Sequence, residues 1–128
     1  MSFDRNIKVL VVDDYKTMTR IIRNLLKQID VNDSDEASDG IEALAKLRAG
    51  TFDLVISDWN MQPMTGLDLL KEVRADSRLK QTPFIMVTAE SKTENVVAAK
   101  QAGVSNYIVK PFNAETLRDK ITKVMVDA

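Results

Sequence analysis

Four short, largely apolar runs constrain the fold of this chain more than any other feature of its sequence. They occupy residues 9–12, 54–57, 84–87 and 107–109, and they are rich in the β-branched side chains of valine and isoleucine. Runs that are apolar throughout, rather than at alternate positions, are typical of strands that are buried on both faces. The sequence therefore predicts a parallel sheet that is covered on both sides.

The segments between these runs have the apolar spacing of amphipathic helices. After residue 14, apolar side chains recur three and four positions apart, at Met18, Ile21, Ile22, Leu25, Leu26 and Ile29. Similar spacing predicts helices near 41–47, 67–73, 96–100 and 114–125, with a turn at 39–40, a loop at 61–66 and a weak polar strand at 34–38. Alternating elements favour right-handed crossovers. We predict one α/β domain, residues 1–128, with a doubly wound five-stranded parallel sheet and helices on both faces.

Polar residues follow the predicted strands where each of them ends. Asp13 and Asp14 follow the first run, Asp58 the second, Thr88 the third and Lys110 the last. Sites in open parallel sheets form beyond the carboxyl ends of the strands, so we expect these side chains to meet at one edge. Carboxylate oxygens favour Mg²⁺, Mn²⁺ or Ca²⁺ over zinc or copper, and the lysine favours an anion beside the cation.

This arrangement predicts phosphoryl transfer to an aspartate. Asp58 would be the nucleophile and would form an acyl phosphate, while Thr88 and Lys110 would contact the phosphoryl oxygens. The alternative is purely structural, because Asp13 or Asp14 could instead cap the helix that follows. Helix capping accounts well for a single aspartate. It does not account for four strands that each end in a polar residue at the same edge of the sheet.

Composition excludes several other chemistries. The chain has 128 residues, with 18 basic and 19 acidic side chains and a formal net charge of −1, which argues against direct binding to nucleic acid. It has no cysteine and no histidine, which excludes thiol catalysis, an imidazole base, histidine-ligated zinc and a phosphohistidine carrier. No segment reads as a signal peptide or a membrane span, so we expect a soluble, cytoplasmic protein that does not bind membranes.

Five segments of the chain resemble the receiver domain of two-component response regulators. They are residues 11–14, 23–27, 56–61, 86–90 and 109–112, and together they extend over nearly the whole chain. The resemblance is tightest to the single-domain chemotaxis regulators (CheY-type). It implies a flavodoxin-like fold with strand order 2-1-3-4-5, the order that this class of regulator has.

The resemblance also implies a phosphoacceptor and a metal site. Asp58 matches the residue that accepts the phosphoryl group. Asp14, Asp58 and the backbone carbonyl of Asn60 match the direct Mg²⁺ ligands, and Asp13 matches a residue that acts through water.

Further positions match residues that sense or tune the phosphorylated state. Thr88 and Lys110 match those that contact the phosphoryl group, and Tyr107 matches an aromatic whose rotamer reports activation. Asn60 and Glu90, two positions beyond Asp58 and Thr88, match residues that tune dephosphorylation. The residues alone explain Tyr107 equally well as an aromatic that packs at a sheet edge.

The chain departs from the family pattern in the loop after Asp58. Gln62 stands where the family often has proline, Pro63 follows one position later, and Thr65 replaces a common acidic residue. These changes are expected to affect kinase docking or the rate of hydrolysis. The bond before Pro111 is expected to be cis. We predict a partner-binding face that includes Lys92, Val96, Lys100, Tyr107, Val109 and Lys120, although lysines on exposed helices are usually only solvated.

Three functions remain open at this point. The first is a switch that a histidine kinase phosphorylates on Asp58, that promotes its own phosphorylation and dephosphorylation, and that then binds a partner protein. We expect no output domain after Ala128, so we expect the output to be a contact of this domain with the flagellar motor switch or another target. A phosphatase is a further expected partner. The second is a phosphate sink that drains the kinase. The third is a metal-binding or scaffold domain that is never phosphorylated. A monomer is expected in each case.

Overall fold

Every predicted apolar run forms a strand in the computed structural model, which describes residues 3–89 and 93–126. The strands are β1 (Lys8–Val12), β2 (Asp33–Ala37), β3 (Leu54–Asp58), β4 (Phe84–Thr88) and β5 (Asn106–Val109). The helices are α1 (Lys16–Gln28), α2 (Gly40–Ala49), α3 (Gly66–Ala75), α4 (Thr93–Gln101) and α5 (Ala114–Val126). All five strands are parallel, in the order β2-β1-β3-β4-β5, so the predicted fold class and strand order are confirmed. No helix among these residues is long and apolar enough to cross a bilayer.

Alternate residues of the central strands face two separate cores. Val9 and Val11 of β1 pack in the first core with residues of α1 and α5, whereas Leu10 and Val12 pack in the second with residues of α2 and α3. All four side chains are fully buried. Burial of such a side chain stabilises the fold by about 1.5–3 kcal/mol. The runs are apolar throughout because helices cover both faces of the sheet.

Side-chain caps begin α2 and α3 where the sequence predicted a turn and a loop. Asp39 is the N-cap of α2, and its Oδ1 accepts a hydrogen bond of 2.8 Å from the N–H three residues further on. Thr65 caps α3 in the same way, at 3.1 Å. The predicted turn at 39–40 and the predicted loop at 61–66 each extend one residue too far, because Gly40 and Gly66 are the first residues of helices.

Gly66 lies where the end of β3 comes closest to α3. Its N–H donates a hydrogen bond of 2.8 Å to the carbonyl oxygen of Trp59. A Cβ at this position would overlap the backbone oxygen of Asp58 and would lie 2.8 Å from the sulfur of Met86. Only glycine permits this approach, which holds the backbone of Asp58 against the start of α3.

The first helix buries a narrower stripe than its sequence predicted. Ile22 and Leu26 are buried, but Ile21 exposes 44% of its surface. The last helix matches its prediction, since it buries Leu117 and Ile121. Ile21 was predicted to be buried because the sequence does not reveal whether another element covers an apolar position at the edge of the stripe.

Candidate functional site

Three carboxylates converge beyond the carboxyl ends of β1 and β3. Asp13 and Asp14 follow β1, Asp58 is the last residue of β3, and the two strands are paired up to Val12 and Ser57. One carboxylate oxygen from each aspartate lies within 4.8 Å of the others. Asp13 and Asp58 are buried, with 2% and 8% of their surface exposed, whereas Asp14 is exposed. The sheet thus forms the predicted acidic cluster.

Lys110 reaches this cluster from the end of β5. Its Nζ lies 3.1 Å from Oδ1 of Asp58, within hydrogen-bonding distance, and 3.7 Å from Oδ2 of Asp13. Its backbone N–H donates to the carbonyl oxygen of Thr88 at 2.7 Å. Thr88 ends β4 and is buried at the same edge. The bond from Lys110 to Pro111 is cis, as the resemblance implied.

The helix-capping alternative is wrong for both aspartates. The N-cap of α1 is Tyr15, which makes no side-chain cap. Oδ1 of Asp13 accepts a hydrogen bond of 2.9 Å from the N–H of Tyr15, before the helix begins. Oδ2 of Asp13 is buried and has no hydrogen-bond partner within the described parts of the chain. The ammonium of Lys110, at 3.7 Å, is within ion-pair range of this atom but too far for a hydrogen bond. A buried acceptor without a hydrogen bond costs about 1–3 kcal/mol, so the arrangement favours a further cation or donor here.

Burial raises the pKa of Asp13 from its ordinary value of 3.8 to about 6. The N–H of Tyr15 and the ammonium of Lys110 oppose this rise, while the carboxylates of Asp58 and Asp14 add to it. Dehydration and mutual repulsion thus both disfavour the ionised cluster without a cation. The donors are all oxygen atoms, which fits a hard divalent cation such as Mg²⁺. The residues present therefore fit a metal ion.

A second group of residues lines a cleft beside the carboxylates. The cleft is formed by Asp14, Asn60, Met61, Gln62, Pro63 and Thr65. Its walls therefore include all three positions at which the sequence departs from the family pattern, and the bond between Gln62 and Pro63 is cis. Asn60 is exposed and stands next to Asp14 in this cleft. The metal-binding role of the Asn60 carbonyl remains a prediction. Glu90 lies outside the described residues.

Tyr107 joins the acidic edge to the predicted partner-binding face. It is half-buried on β5 and lines a small apolar pocket with Trp59, Thr88 and Val96, among others. Lys120 of α5 lies over its ring, with Nζ 5.4 Å from the centroid. Thr88 thus borders both the acidic cluster and the pocket of Tyr107. This geometry is compatible with either sequence interpretation of Tyr107.

The rest of the predicted partner-binding face is contributed by α4, β5 and α5. We use the name output face for Val96, Lys100, Tyr107, Val109 and Lys120. Lys100 and Val109 are exposed, and the other three are half-buried. Lys92, which the sequence analysis also assigned to this face, lies outside the described residues. The output face thus combines two valines and an aromatic ring with two lysines.

Sequence analysis missed a polar cluster beside the carboxylates. Thr19 and Arg23 of α1 both contact Glu36 of β2. Oγ1 of Thr19 lies 2.6 Å from Oε2 of Glu36, and Nη1 of Arg23 lies 3.2 Å from Oε1. Lys46 of α2 pairs with Asp35 of the same strand at 3.3 Å. The available signal was the polarity of β2, which made that strand a weak candidate. Its side chains are polar because they pair with two neighbouring helices.

Known proteins share this fold and this sequence pattern. The sequence profile of the response regulator receiver domain matches residues 9–122. The solved structure of the chemotaxis response regulator CheY4 of Vibrio cholerae has a TM-score of 0.86 and 39% identity, and it covers 93% of this chain and 98% of that one. A putative response regulator from Chloroflexus aurantiacus has a TM-score of 0.89 at 26% identity, covering 94% and 98%. The chain belongs to the response regulator receiver domain family.

Within that family, the chain is similar to chemotaxis proteins. The chemotaxis protein CheY-3 of Vibrio cholerae is 52% identical over 121 residues, which cover 94% of this chain and 93% of that protein. The chemotaxis protein CheY of Pseudomonas aeruginosa is 53% identical over 117 residues, which cover 91% and 94%. The resemblance read from the sequence is therefore confirmed.

Proposed function

We propose that this chain is a phosphorylation-gated switch of a chemotaxis two-component system, acting in the cytoplasm as a single receiver domain over residues 1–128. Asp58 is the phosphoacceptor and Mg²⁺ is the cofactor. The observation that carries the proposal is the ammonium of Lys110, 3.1 Å from Asp58 in a site where three carboxylates gather. Membership of the receiver family and the chemotaxis names of the relatives support it.

The proposed metal site uses the acidic cluster. Asp14, Asp58 and the backbone carbonyl of Asn60 bind Mg²⁺ directly, and Asp13 binds it through water. When bound, the cation neutralises negative charge between the carboxylates and the incoming phosphoryl group. Oδ2 of Asp13 supports this assignment, because it is buried, accepts no hydrogen bond from the described residues and can accept one from a bound water molecule.

Asp58 acts as the nucleophile in the proposed transfer. One carboxylate oxygen attacks the phosphorus of a phosphohistidine, an O–P bond forms as the P–N bond breaks, and the electron pair leaves with the imidazole nitrogen. The chain has no histidine, so the phosphohistidine belongs to a separate kinase. Lys110 pairs with one phosphoryl oxygen and the hydroxyl of Thr88 donates to another. Hydrolysis of the acyl phosphate resets the switch, at a rate tuned by Asn60 and Glu90.

Phosphorylation is then read at the output face. In the proposed mechanism Thr88 moves toward the phosphoryl group, and Tyr107 turns into the pocket that both residues line. The altered face binds a protein partner, which we propose is the flagellar motor switch. A shift from 1:99 to 99:1 between two states requires about 5.5 kcal/mol of differential interaction with the phosphoryl group.

The first test uses beryllofluoride, which mimics a phosphoryl group on Asp58. We expect Mg²⁺ plus beryllofluoride to change the fluorescence of Trp59, which lies beside Asp58, and to tighten binding to the amino-terminal segment of the flagellar switch protein. Asp58→Asn should lose both effects. Unchanged fluorescence in the wild-type protein would contradict the phosphoacceptor site. A fluorescence change without tighter binding would instead favour a phosphate sink or a different partner.

A further inference from the structure

We infer that Thr19 and Glu36 are positioning residues for the aspartates that follow β1, an inference that rests on the proposed Mg²⁺ site. Residues 13–19, here called the metal-binding segment, lead from the end of β1 into the first turn of α1. This segment includes Asp13 and Asp14. Two adjacent residues of β2 hold its two ends, so β2 sets the position of the carboxylates between them.

The first attachment is a backbone hydrogen bond. The N–H of Asp13 donates to the carbonyl oxygen of Ala37 at 3.1 Å, which extends the pairing of β1 and β2 by one residue. The attachment ties the start of the metal-binding segment to the end of β2. Because it uses only main-chain atoms, it does not depend on the side chain at either position.

The second attachment is a side-chain hydrogen bond. Oγ1 of Thr19 lies 2.6 Å from Oε2 of Glu36 and 2.8 Å from the carbonyl oxygen of Lys16. A hydroxyl has one proton, so these two acceptors share it. Thr19 exposes only 1% of its surface, and a hydrogen bond to a carboxylate is among the stronger kinds. This contact ties the first turn of α1 to β2.

Glu36 is itself held in one orientation. Nη1 of Arg23 lies 3.2 Å from its Oε1, and Arg23 also donates to the hydroxyl and the carbonyl oxygen of Ser34 at 3.0 Å each. Lys46 of α2 donates to the backbone carbonyl of Glu36. Two helices therefore hold Glu36: Arg23 of α1 orients its carboxylate, and Lys46 of α2 holds its backbone.

Asp14 lies between the two attachments. Within the metal-binding segment, the N–H of Tyr15 donates to Asp13 Oδ1, and the N–H groups of Met18 and Thr19 lie 2.9 and 3.3 Å from the Tyr15 carbonyl oxygen. These bonds make the segment one connected unit. Loss of the Thr19 attachment allows the first turn of α1 to shift, and Asp14 moves with it relative to Asp58. Metal affinity is sensitive to groups that orient the ligands in this way.

A purely structural role for Thr19 makes a different prediction. If the hydroxyl only anchors α1, its removal lowers the free energy of unfolding but leaves the Mg²⁺ affinity of the folded protein unchanged. Thr19→Val separates the two roles, because it keeps the shape of the side chain and changes no charge near the cation. Any loss of affinity in this variant is therefore geometric rather than electrostatic.

The experiment measures the Mg²⁺ dissociation constant from amide shifts of the metal-binding segment in an NMR titration. We expect about threefold to tenfold weaker binding for Thr19→Val, the effect of one hydrogen bond, and near wild-type binding for Thr19→Ser, which keeps the hydroxyl. Thr122→Val is the matched control, because within the described ranges the Thr122 hydroxyl bonds to its own helix alone, at the Arg118 carbonyl. It should bind Mg²⁺ normally.

A second pair of variants tests the same contact from the strand. Glu36→Ala and Asp35→Ala each remove one negative charge from adjacent positions of β2, but only Glu36 contacts Thr19. We expect the larger loss of affinity in Glu36→Ala. Equal Mg²⁺ affinity in Thr19→Val and the wild type, or equal losses in the two strand variants, would overturn the positioning role. A wild-type protein that binds no Mg²⁺ would overturn the proposed metal site as well.

Discussion

The two sides of the acidic cluster are built differently. On the β1–α1–β2 side, hydrogen bonds and ion pairs join Thr19, Arg23 and Glu36 at 2.6–3.2 Å. On the β4–α4–β5 side, Thr88, Val96 and Tyr107 surround a small apolar pocket. Two apolar side chains are exposed on this side as well, since Val97 and Val109 expose 45% and 36% of their area. One side is held by directional contacts and the other by apolar packing.

This difference suits the proposed function, in which one small domain binds a cation and also changes shape. Hydrogen bonds between charged groups specify one geometry, which suits metal ligands. Apolar contacts specify less, so a half-buried ring can adopt another rotamer at low cost. Lys110 connects the two sides, because it follows β5 and contacts both Asp58 and Asp13. A charge added at Asp58 therefore acts on Lys110 and, through it, on the apolar side.

The largest effect is expected at Gly66, where β3 meets α3 between the two sides. Gly66→Ala places a methyl group against the backbone oxygen of Asp58, so the strand end must move. We expect the free energy of unfolding to fall by about 2–4 kcal/mol, measured in urea. Gly50→Ala is the control, because its nearest neighbour would be 3.7 Å away and its stability should change by less than about 0.5 kcal/mol. Equal midpoints for the two variants would contradict the close approach.

Apolar patterning made most of this fold predictable from the sequence. The runs that contain Val9–Val12 and Phe84–Val87 are buried on both faces, so their continuity alone identified a parallel sheet, and the polar residues at strand ends located the site. The starts of α2 at Gly40 and of α3 at Gly66 were missed by one residue, because a sequence does not distinguish a glycine that turns the chain from one that permits a close approach. The Thr19–Glu36 contact was missed, because it depends on how α1 crosses β2, which no local pattern specifies.

A gain of stability is expected when one charge is removed from the acidic cluster. Asp13 is buried beside two other carboxylates, and its ionised form is disfavoured in the folded protein. Asp13→Asn should raise the free energy of unfolding of the metal-free protein at pH 7 by roughly 1–3 kcal/mol. The gain should shrink when Mg²⁺ is added, since the cation stabilises the wild-type cluster. Urea unfolding with and without Mg²⁺ measures both effects.

The same carboxyl group gives the metal-free protein a pH-dependent stability. Its pKa in the folded state is about 6, above the ordinary value of 3.8, so the folded state binds the proton more tightly than the unfolded state. This group therefore lowers the free energy of unfolding as pH rises from about 4 to about 6, and its effect is constant above that range. Asp13→Asn removes this contribution. A difference between variant and wild type that stays constant from pH 4 to 7 would contradict the raised pKa.

A smaller loss is expected when the directional contacts of the first side are removed. Arg23→Met keeps much of the apolar length of the side chain but loses its contacts with Glu36 and Ser34. Because Arg23 and Glu36 are partly exposed, water screens the ion pair and the expected loss is only about 1–2 kcal/mol. Thermal or urea unfolding measures it. A loss no larger than that of an exposed lysine, such as Lys71→Met, would remove the distinction between the two sides.

The smallest effect is expected at Lys120, on the apolar side. Its ammonium lies 5.4 Å from the centroid of the Tyr107 ring and 3.4 Å from Oδ1 of Asn106, which are both weak contacts. Lys120→Met should therefore lower the free energy of unfolding by no more than about 0.5–1 kcal/mol. The change also uncovers one face of the ring, so the side-chain NMR signals of Tyr107 should show greater averaging between rotamers. If Lys120→Met costs more than Arg23→Met, the apolar side is held by directional contacts after all, and the contrast between the two sides fails.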